Sequence, residues 1–378
     1  MLVKTVKQSY RPSSELMGFM ETFRGIVNQC ITIGLKENRR SMKSLSKASY
    51  SKLRQYQITT AYKLCAISRA AGILTNYRKL LRDHHVEISY CRRASLVTAA
   101  CYGLRVKKSI LNLPSKIKIE VNPHTVSVLD RTNIRSVTLT PDSLNIAYSK
   151  EIAPVKTTGL LAIDRNLDNV TMADTAGKTS RHSLDKATLS KALCRMTKSR
   201  FHRNDARIRR YIYGKYGRIE RNRVNPVLHN ASASIVRQAK QNSLGIVLEN
   251  IKGIRKLYRR GNSQNKHYRF RMNACSFYEF QRQLSYKARW EGLPVHYVSP
   301  RGTSSKCSKC GDQVFAKESR IVECPRCGCI DRDVNAARNV LSAALRFRVK
   351  GPPSEAMVEE REPNGVTLIL KVDGGQSS

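Results

Sequence analysis

Residues 307–346 read CSKCGDQVFAKESRIVECPRCGCIDRDVNAARNVLSAALR, and this run decides how the chain is built. Two CxxC pairs, Cys307 with Cys310 and Cys324 with Cys327, are separated by 13 residues, and each is followed by a glycine, Gly311 or Gly328. Glycine there permits the tight turn of a metal knuckle. Four thiolates at this spacing give Zn²⁺ a closed tetrahedral site, so one structural zinc is expected. A redox-active dithiol is the alternative, and two paired knuckles disfavour it. Cys329 is a fifth cysteine whose spacing fits poorly, and it is set aside as a ligand. The ribbon runs straight into an amphipathic helix. Positions 333, 336, 337, 340, 341 and 344 share one face, and all but the first are apolar. That face must pack on a core, which aims Asp333 inward at the helix N-terminus. Asp331, two residues earlier, competes with it, and one of the pair caps the helix.

Working outward, GLLAI (159–163) ends at Asp164, and LGIVL (244–248) ends at Glu249. Both are buried-strand patterns that close on an acid, which is costly to bury unless it is paired or binds a metal. Alone, Asp164 reads as a turn residue, Glu249 as a strand-end charge and Asp333 as a cap or dipole partner. Together they read as a divalent-metal triad. Mg²⁺ takes carboxylate oxygens and keeps several waters. Two such ions about 4 Å apart serve in-line displacement at phosphorus, with Mn²⁺ as the substitute ion. VTMAD (170–174) and PVHYVS (294–299) read as further strands, and 188–240 and 275–291 as helices, giving a mixed α/β layer.

The N-terminal part has a different texture. LVKTVKQSY (2–10) alternates like a strand, and 13–108 reads mostly as helix. After Pro114, the segments 116–121, 125–129, 136–140 and 144–149 read as short strands of a small antiparallel sheet or barrel. The strand at 2–10 is expected to join it, with the helical block inserted between. From Gly351 the chain is rich in Pro, Gly and Glu and reads as a disordered tail, in which VTLILKV (366–372) is an apolar exception.

Charge narrows the partners. Lys and Arg number 69 against 28 Asp and Glu, a formal net charge of +41, so a polyanion is the simplest counter-ion and nucleic acid the expected one. Two stretches concentrate the charge among aromatic rings. Residues 195–223 hold eleven Lys/Arg and two acids, with Arg203, Arg207, Arg210 and Tyr211 as candidate contacts. Residues 255–271 hold seven basic residues and no acid, with Arg255, Lys256, Arg259 and Arg260 as candidates. Arginines bind phosphates and rings stack on bases. The competing reading is a solvated basic loop with buried rings. No apolar run reaches a membrane-spanning length, since Lys63 and Arg69 interrupt 58–74, and MLVKTVKQSY lacks a signal-peptide core. The other six of the 11 cysteines are scattered, so a reducing compartment is expected, in a soluble, cytoplasmic, nucleoid-associated protein.

LLAIDRNLDNVTMAD, LGIVLENIKGIRK and the run from VSPRGTSSKCSKCG to CIDRDVNAARNV together resemble TnpB, the OrfB-type protein of prokaryotic insertion sequences and relative of the type V CRISPR effectors. The resemblance covers about residues 158–346 and extends to the N-terminal half only by layout. It implies an RNase H-like (RuvC) α+β nuclease core with an inserted zinc ribbon, and a small β-barrel split by a helical lobe. The implied boundaries are 1–10 and 109–157 for a wedge-like barrel, 11–108 for a recognition lobe, 158–303 and 330–350 for the nuclease, 304–329 for the ribbon and 351–378 for the tail. It places catalytic acids on Asp164, Glu249 and Asp333, the last favoured over Asp331 by the DxNAA run, and zinc ligands on Cys307, Cys310, Cys324 and Cys327. It also implies a guide RNA from the transposon end and double-stranded DNA as target; no membrane partner is expected, and the oligomeric state is left open, with a monomer favoured. A cleavage-inactive RNA-guided regulator and a DNA transposase are the rival readings. One departure is visible: Asn166 stands where the family usually has Gly, and the tolerance of Asn for left-handed geometry predicts that the turn survives.

Overall fold

The computed structural model describes residues 2–81, 87–88, 90–201, 206–254, 258, 265, 268–269, 271–272, 275–349 and 370–372. They divide into two compact units, Met1–Glu151 and Ile152–Glu362, with the strand at 370–372 belonging to the first.

In the first unit, β1 (Lys4–Ser9) is followed by α1 (Ser14–Lys36), α2 (Met42–Ser49) and α3 (Thr60–Leu81). Ser13 caps α1, its hydroxyl accepting from the Leu16 N–H at 3.2 Å. Met20, Phe23, Val27, Cys30 and Ile31 recur at helical spacing and are buried with Ala66, Ile67 and Leu74 of α3. The helical expectation for 13–108 stops short, because the chain turns to strands at β2 (Leu96–Ala99) and β3 (Arg105–Lys107). Then come β4 (Ile110–Asn112), β5 (Lys118–Glu120), α4 (Pro123–Leu129), β6 (Asn133–Leu139) and β7 (Ser143–Ser149). The expected insertion holds: β1 pairs antiparallel with β7, Lys4 opposite Tyr148, with the helices between them in sequence. TVSVL (125–129), expected as a strand, is helical instead. Asn122 caps α4 by accepting from the Thr125 N–H at 2.7 Å, and Pro123 presets φ at the first position. Local capping overrides the β propensity of valine and threonine. The described strands pair as an open sheet, 370–372, β1, β7, β6 and β2 in order, and a separate sheet of β3, β4 and β5. Of the expected disordered tail, only Leu370–Val372 lies among the described residues, and it forms a strand parallel to β1.

The second unit is built on the sheet formed by β8 (Gly159–Arg165), β9 (Asn169–Asp174), β10 (Thr179–Ser183), β11 (Leu244–Glu249) and β12 (Val295–Val298). The order is β10-β9-β8-β11-β12, with β8, β9 and β10 antiparallel and β11 parallel to both β8 and β12. The helices are α5 (Asp185–Ser199), α6 (Ala206–Gln241), α7 (Phe277–Trp290) and α8 (Arg332–Val349). Burial on both faces explains why β8 and β11 are apolar runs rather than alternating ones. Leu161, Ile163, Ile246 and Leu248 pack with Leu228, Ile235, Phe280 and Leu284 of α6 and α7. Leu160, Ala162 and Val247 pack on the other face with Val340, Leu341 and Ala344 of α8. Between β12 and α8 lies a small sheet of β13 (Phe315–Glu318), β14 (Ile321–Cys324) and β15 (Gly328–Asp331).

Ile246→Ala should lower unfolding free energy by about 2–5 kcal/mol in a urea melt, because its fully buried side chain sits at the centre of the larger cluster. A cost below about 1 kcal/mol would show that this cluster does not hold the unit together.

Candidate active site

Strand alternation places the acids. In β8, Leu160 and Ala162 face α8, so Asp164 lies on that side too. In β11, Val247 faces α8, and Glu249 follows at the same parity. The register sets Ile163 opposite Leu248, and one step further Asp164 and Glu249 sit side by side on neighbouring strands. Asp333, 1% exposed, occupies the first turn of α8, the helix packed on this face.

The electrostatics show the convergence. The Asp164 carboxyl is pushed up to about 7, first by burial and then by the charge of Glu249, with Asp333 adding to it. The Asn166 amide works the other way, donating to Asp164 Oδ2 at 2.8 Å. Glu249 is also raised by burial, and the hydrogen bond from Thr303 at 2.7 Å opposes this. Asp333 is ringed by guanidiniums: Arg320 Nη1 at 3.2 Å, Arg332 Nη2 at 3.3 Å and Arg181 Nη2 at 3.6 Å. Arg320, from the turn between β13 and β14, also grips Asp168 with two bonds of 2.9 and 3.0 Å. The competition between Asp331 and Asp333 is resolved. Asp331 caps α8, accepting from the N–H groups of Asp333 (3.0 Å) and Val334 (2.9 Å), while Asp333 is buried. The turn at Asn166 survives for a different reason from the one expected. Asn166 is absent from the positive-φ positions, and its side chain braces Asp164.

Two donor sets result. The sulfurs of Cys307, Cys310, Cys324 and Cys327 all lie within 4.8 Å of one another, with Cys310 and Cys324 at 3.4 Å. Tetrahedral zinc with about 2.3 Å bonds needs sulfurs roughly 3.8 Å apart, so the set fits a structural zinc. Gly311 and Gly328 adopt φ of +85° and +73°, as knuckle turns require. Cys329 is exposed and outside the cluster, its sulfur taking a bond from Lys317. The three acids form a hard-oxygen set that is wider: among the described residues only the cysteines bring three or more ligand atoms within 4.8 Å. Carboxylate oxygens are the donors that Mg²⁺ prefers, so the acids offer the right chemistry for a hard divalent cation.

Of the proposed nucleic-acid contacts, Arg210 and Tyr211 are exposed on the N-terminal half of α6, Tyr211 by 64%. Arg207 lies on the same helix, and its side chain is outside the described set, as are Arg203, Arg255, Lys256, Arg259 and Arg260 altogether. Sequence reasoning missed Arg181, Arg320, Asp168, Thr303, Asn335 and Asn339. Their partners are distant in sequence, and polar residues in loops and on helices carry no periodic signal.

With this geometry in hand, the relatives become informative. A family model described as the Cas12f1-like TNB domain matches residues 277–340, from α7 through the cysteine module into α8. A TnpB-like protein of Methanocaldococcus jannaschii is 30% identical over 218 residues, which is 55% of this chain and 77% of that protein. The chain belongs to the TnpB-like family. The CRISPR-associated endodeoxyribonuclease Cas12f2 of a Micrarchaeota archaeon is 32% identical over 128 residues, covering 31% of this chain and 23% of that protein. In fold, the chain resembles the protein in a cryo-EM structure of the Cas12f1-sgRNA-target DNA complex, with a TM-score of 0.55 at 14% identity over 87% of this chain and 83% of that one. The expected kinship of this TnpB-like chain with type V effectors is borne out. No helix among the described residues is long and apolar enough to cross a membrane.

Each donor set has a measurable consequence. Without added divalent ions and with zinc retained, folded Asp164 holds a proton that the unfolded chain has lost between about pH 4 and pH 7, so stability falls as pH rises through that window. Asp164→Asn removes this effect, and its thermal midpoint should exceed that of the wild type at about pH 8 and match it near pH 4. Equal midpoints at both would refute the shift. For the cysteine centre, Cys310→Ser should lower zinc content and loosen the module, and an unchanged metal-to-protein ratio would overturn the assignment.

Proposed function

We propose that the chain is an RNA-guided DNA endonuclease that hydrolyses phosphodiester bonds at Asp164, Glu249 and Asp333. The observation that carries the proposal is the meeting of three acids, from β8, β11 and α8, on one face of the sheet. The sheet order, with β8 central between an antiparallel pair and a parallel pair, supports an RNase H-like (RuvC) reading of this core. Membership in the TnpB-like family supports an insertion-sequence origin, a guide RNA from the transposon end and a double-stranded DNA target.

The acids and arginines divide the work. Asp164, Glu249 and Asp333 offer oxygens suited to two Mg²⁺ or Mn²⁺ ions. When bound, those ions supply positive charge against the charge that builds on the phosphate. Asn166 and Thr303 hold the carboxylates of Asp164 and Glu249 in place. Arg181, Arg320 and Arg332 surround Asp333 with guanidinium charge that attracts a phosphodiester. The zinc of the cysteine module is structural and takes no part in hydrolysis. The exposed basic and aromatic side of α6, with Arg210 and Tyr211, suits the backbone and bases of a guide or target strand. Sequence choice falls to pairing with the guide RNA. The wedge-like, recognition, nuclease and ribbon segments, a monomeric state and a place at the nucleoid complete the proposal.

The test is cleavage by protein that carries its co-purified RNA. Asp164→Ala should slow cleavage about 1000-fold or more while leaving RNA-dependent DNA binding intact. Equal loss of binding would make Asp164 structural. Guided binding without cleavage by the wild type would favour a regulator, and DNA joining a transposase.

A further inference from the structure

The segment Thr303–Ser308 has three attachments. Its first residue is buried, and its hydroxyl lies 2.7 Å from Glu249 Oε1 and 3.0 Å from the Pro300 carbonyl. A hydroxyl has one proton, and the closer, charged carboxylate is the stronger acceptor. The last residues of the segment enter the first knuckle, where the Cys307 N–H donates to the Asp312 carbonyl at 2.7 Å. Between these ends, α8 holds the main chain with two asparagines. Asn335, fully buried, accepts from the Ser308 N–H and donates to the Lys306 carbonyl, both at 2.7 Å, so it clamps both sides of Cys307. Asn339 donates to the carbonyls of Thr303 at 2.8 Å and Lys306 at 2.7 Å. One short stretch therefore touches a cysteine of the zinc set, the helix that carries Asp333, and Glu249.

We infer that Thr303 is a positioning residue for Glu249, and that the Thr303–Ser308 segment makes the first cysteine knuckle set the aim of that carboxylate. The inference rests on the reading of Glu249 as a metal-holding acid. A glutamate has three side-chain torsions, and fixing them costs entropy that a preset partner reduces. Thr303 is such a partner. Its carbonyl is pinned by Asn339, and its β-branched side chain is stiff about the first torsion. The Thr303 backbone in turn keeps its place because Lys306 and Ser308, flanking Cys307, are clamped to α8. Partners of this kind behind a metal-holding carboxylate typically carry ten- to a hundredfold in metal affinity or activity.

The experiment uses the full chain with its co-purified RNA and Mn²⁺ as the probe, titrated by electron paramagnetic resonance alongside cleavage and zinc content. Thr303→Val removes the hydroxyl and keeps the shape. It should weaken Mn²⁺ binding about tenfold and slow cleavage to a similar degree, with zinc content and guided DNA binding unchanged. Thr303→Ser, which keeps the hydroxyl, should recover to within about threefold of the wild type. Asn339→Ala leaves the hydroxyl but frees the carbonyls of Thr303 and Lys306, and it should weaken Mn²⁺ binding with zinc retained. The inference is overturned if Thr303→Val binds Mn²⁺ like the wild type, if Thr303→Ser is as impaired as Thr303→Val, if Thr303→Val loses zinc, or if Asn339→Ala leaves Mn²⁺ affinity untouched. Glu249→Gln separates the two levels. If Glu249→Gln leaves both Mn²⁺ affinity and cleavage unchanged, the acid-site reading itself fails. If it is impaired while Thr303→Val is not, only the role of Thr303 falls.

Discussion

Three carboxylates gathered at the end of one sheet repel one another, and much of the second unit is arranged around that repulsion. Two like charges about 5 Å apart cost roughly 3 kcal/mol at an effective dielectric of 20, before any cost of burial. The fold meets this cost in a different way at each acid. Asp164 is pushed up to about 7 by burial and by Glu249, so it keeps a proton through the range where an ordinary carboxyl has lost it. Glu249 accepts a neutral hydroxyl. Asp333, the most deeply buried of the three, keeps company with three guanidiniums. Divalent ions, held as proposed, would relieve the repulsion among them.

The arginines around Asp333 explain the role of the neighbouring acids. Asp168 takes Nη2 of Arg320 with both carboxylate oxygens, leaving Nη1 for Asp333, and Asp331 takes Nη2 of Arg181. Without these second partners, each guanidinium would be free to close on Asp333 alone. Asp331 is held below the ordinary carboxylate range against its burial by the Val334 N–H and by Arg181, so it stays charged while it caps α8.

Legibility from sequence followed the range of the interactions. The core strands GLLAI and LGIVL, the helix face at 336, 337, 340, 341 and 344, and the knuckle glycines depend on local pattern, and they were readable. TVSVL was misread because a cap at Asn122 and a proline at 123 decide its conformation, and the alternation of its side chains is incidental. Asn335 is fully buried yet stands outside the apolar face deduced for its helix. It serves the knuckle rather than the sheet, and no period in the sequence reports that. Arg320 and Thr303 lie 152 and 54 positions from Asp168 and Glu249, so only the folded chain pairs them. The triad itself was legible as three inward acids. How each charge is accommodated was not, because that depends on side chains from other elements.

The position of the cysteine module in the chain makes its coupling to the acids a matter of topology. β12 runs beside β11 with Val298 opposite Glu249, so the chain leaves the sheet next to one acid. It must return to begin α8 next to another, Asp333. Whatever folds from residues 299–331 therefore has both ends at the acid site. A piece that short cannot build much of a core: apart from cysteines, its buried cluster holds only Val314, Val322 and Ile330. Below about 40 residues, a metal or disulfides usually supply what apolar burial cannot. The clustered thiolates take that part, and the bonds from Asn335 and Asn339 fix where the module stands on α8. Loosening the knuckle would thus reach Glu249 through Thr303, at the entry to the insertion, and Asp333 through Arg320, in the turn between β13 and β14.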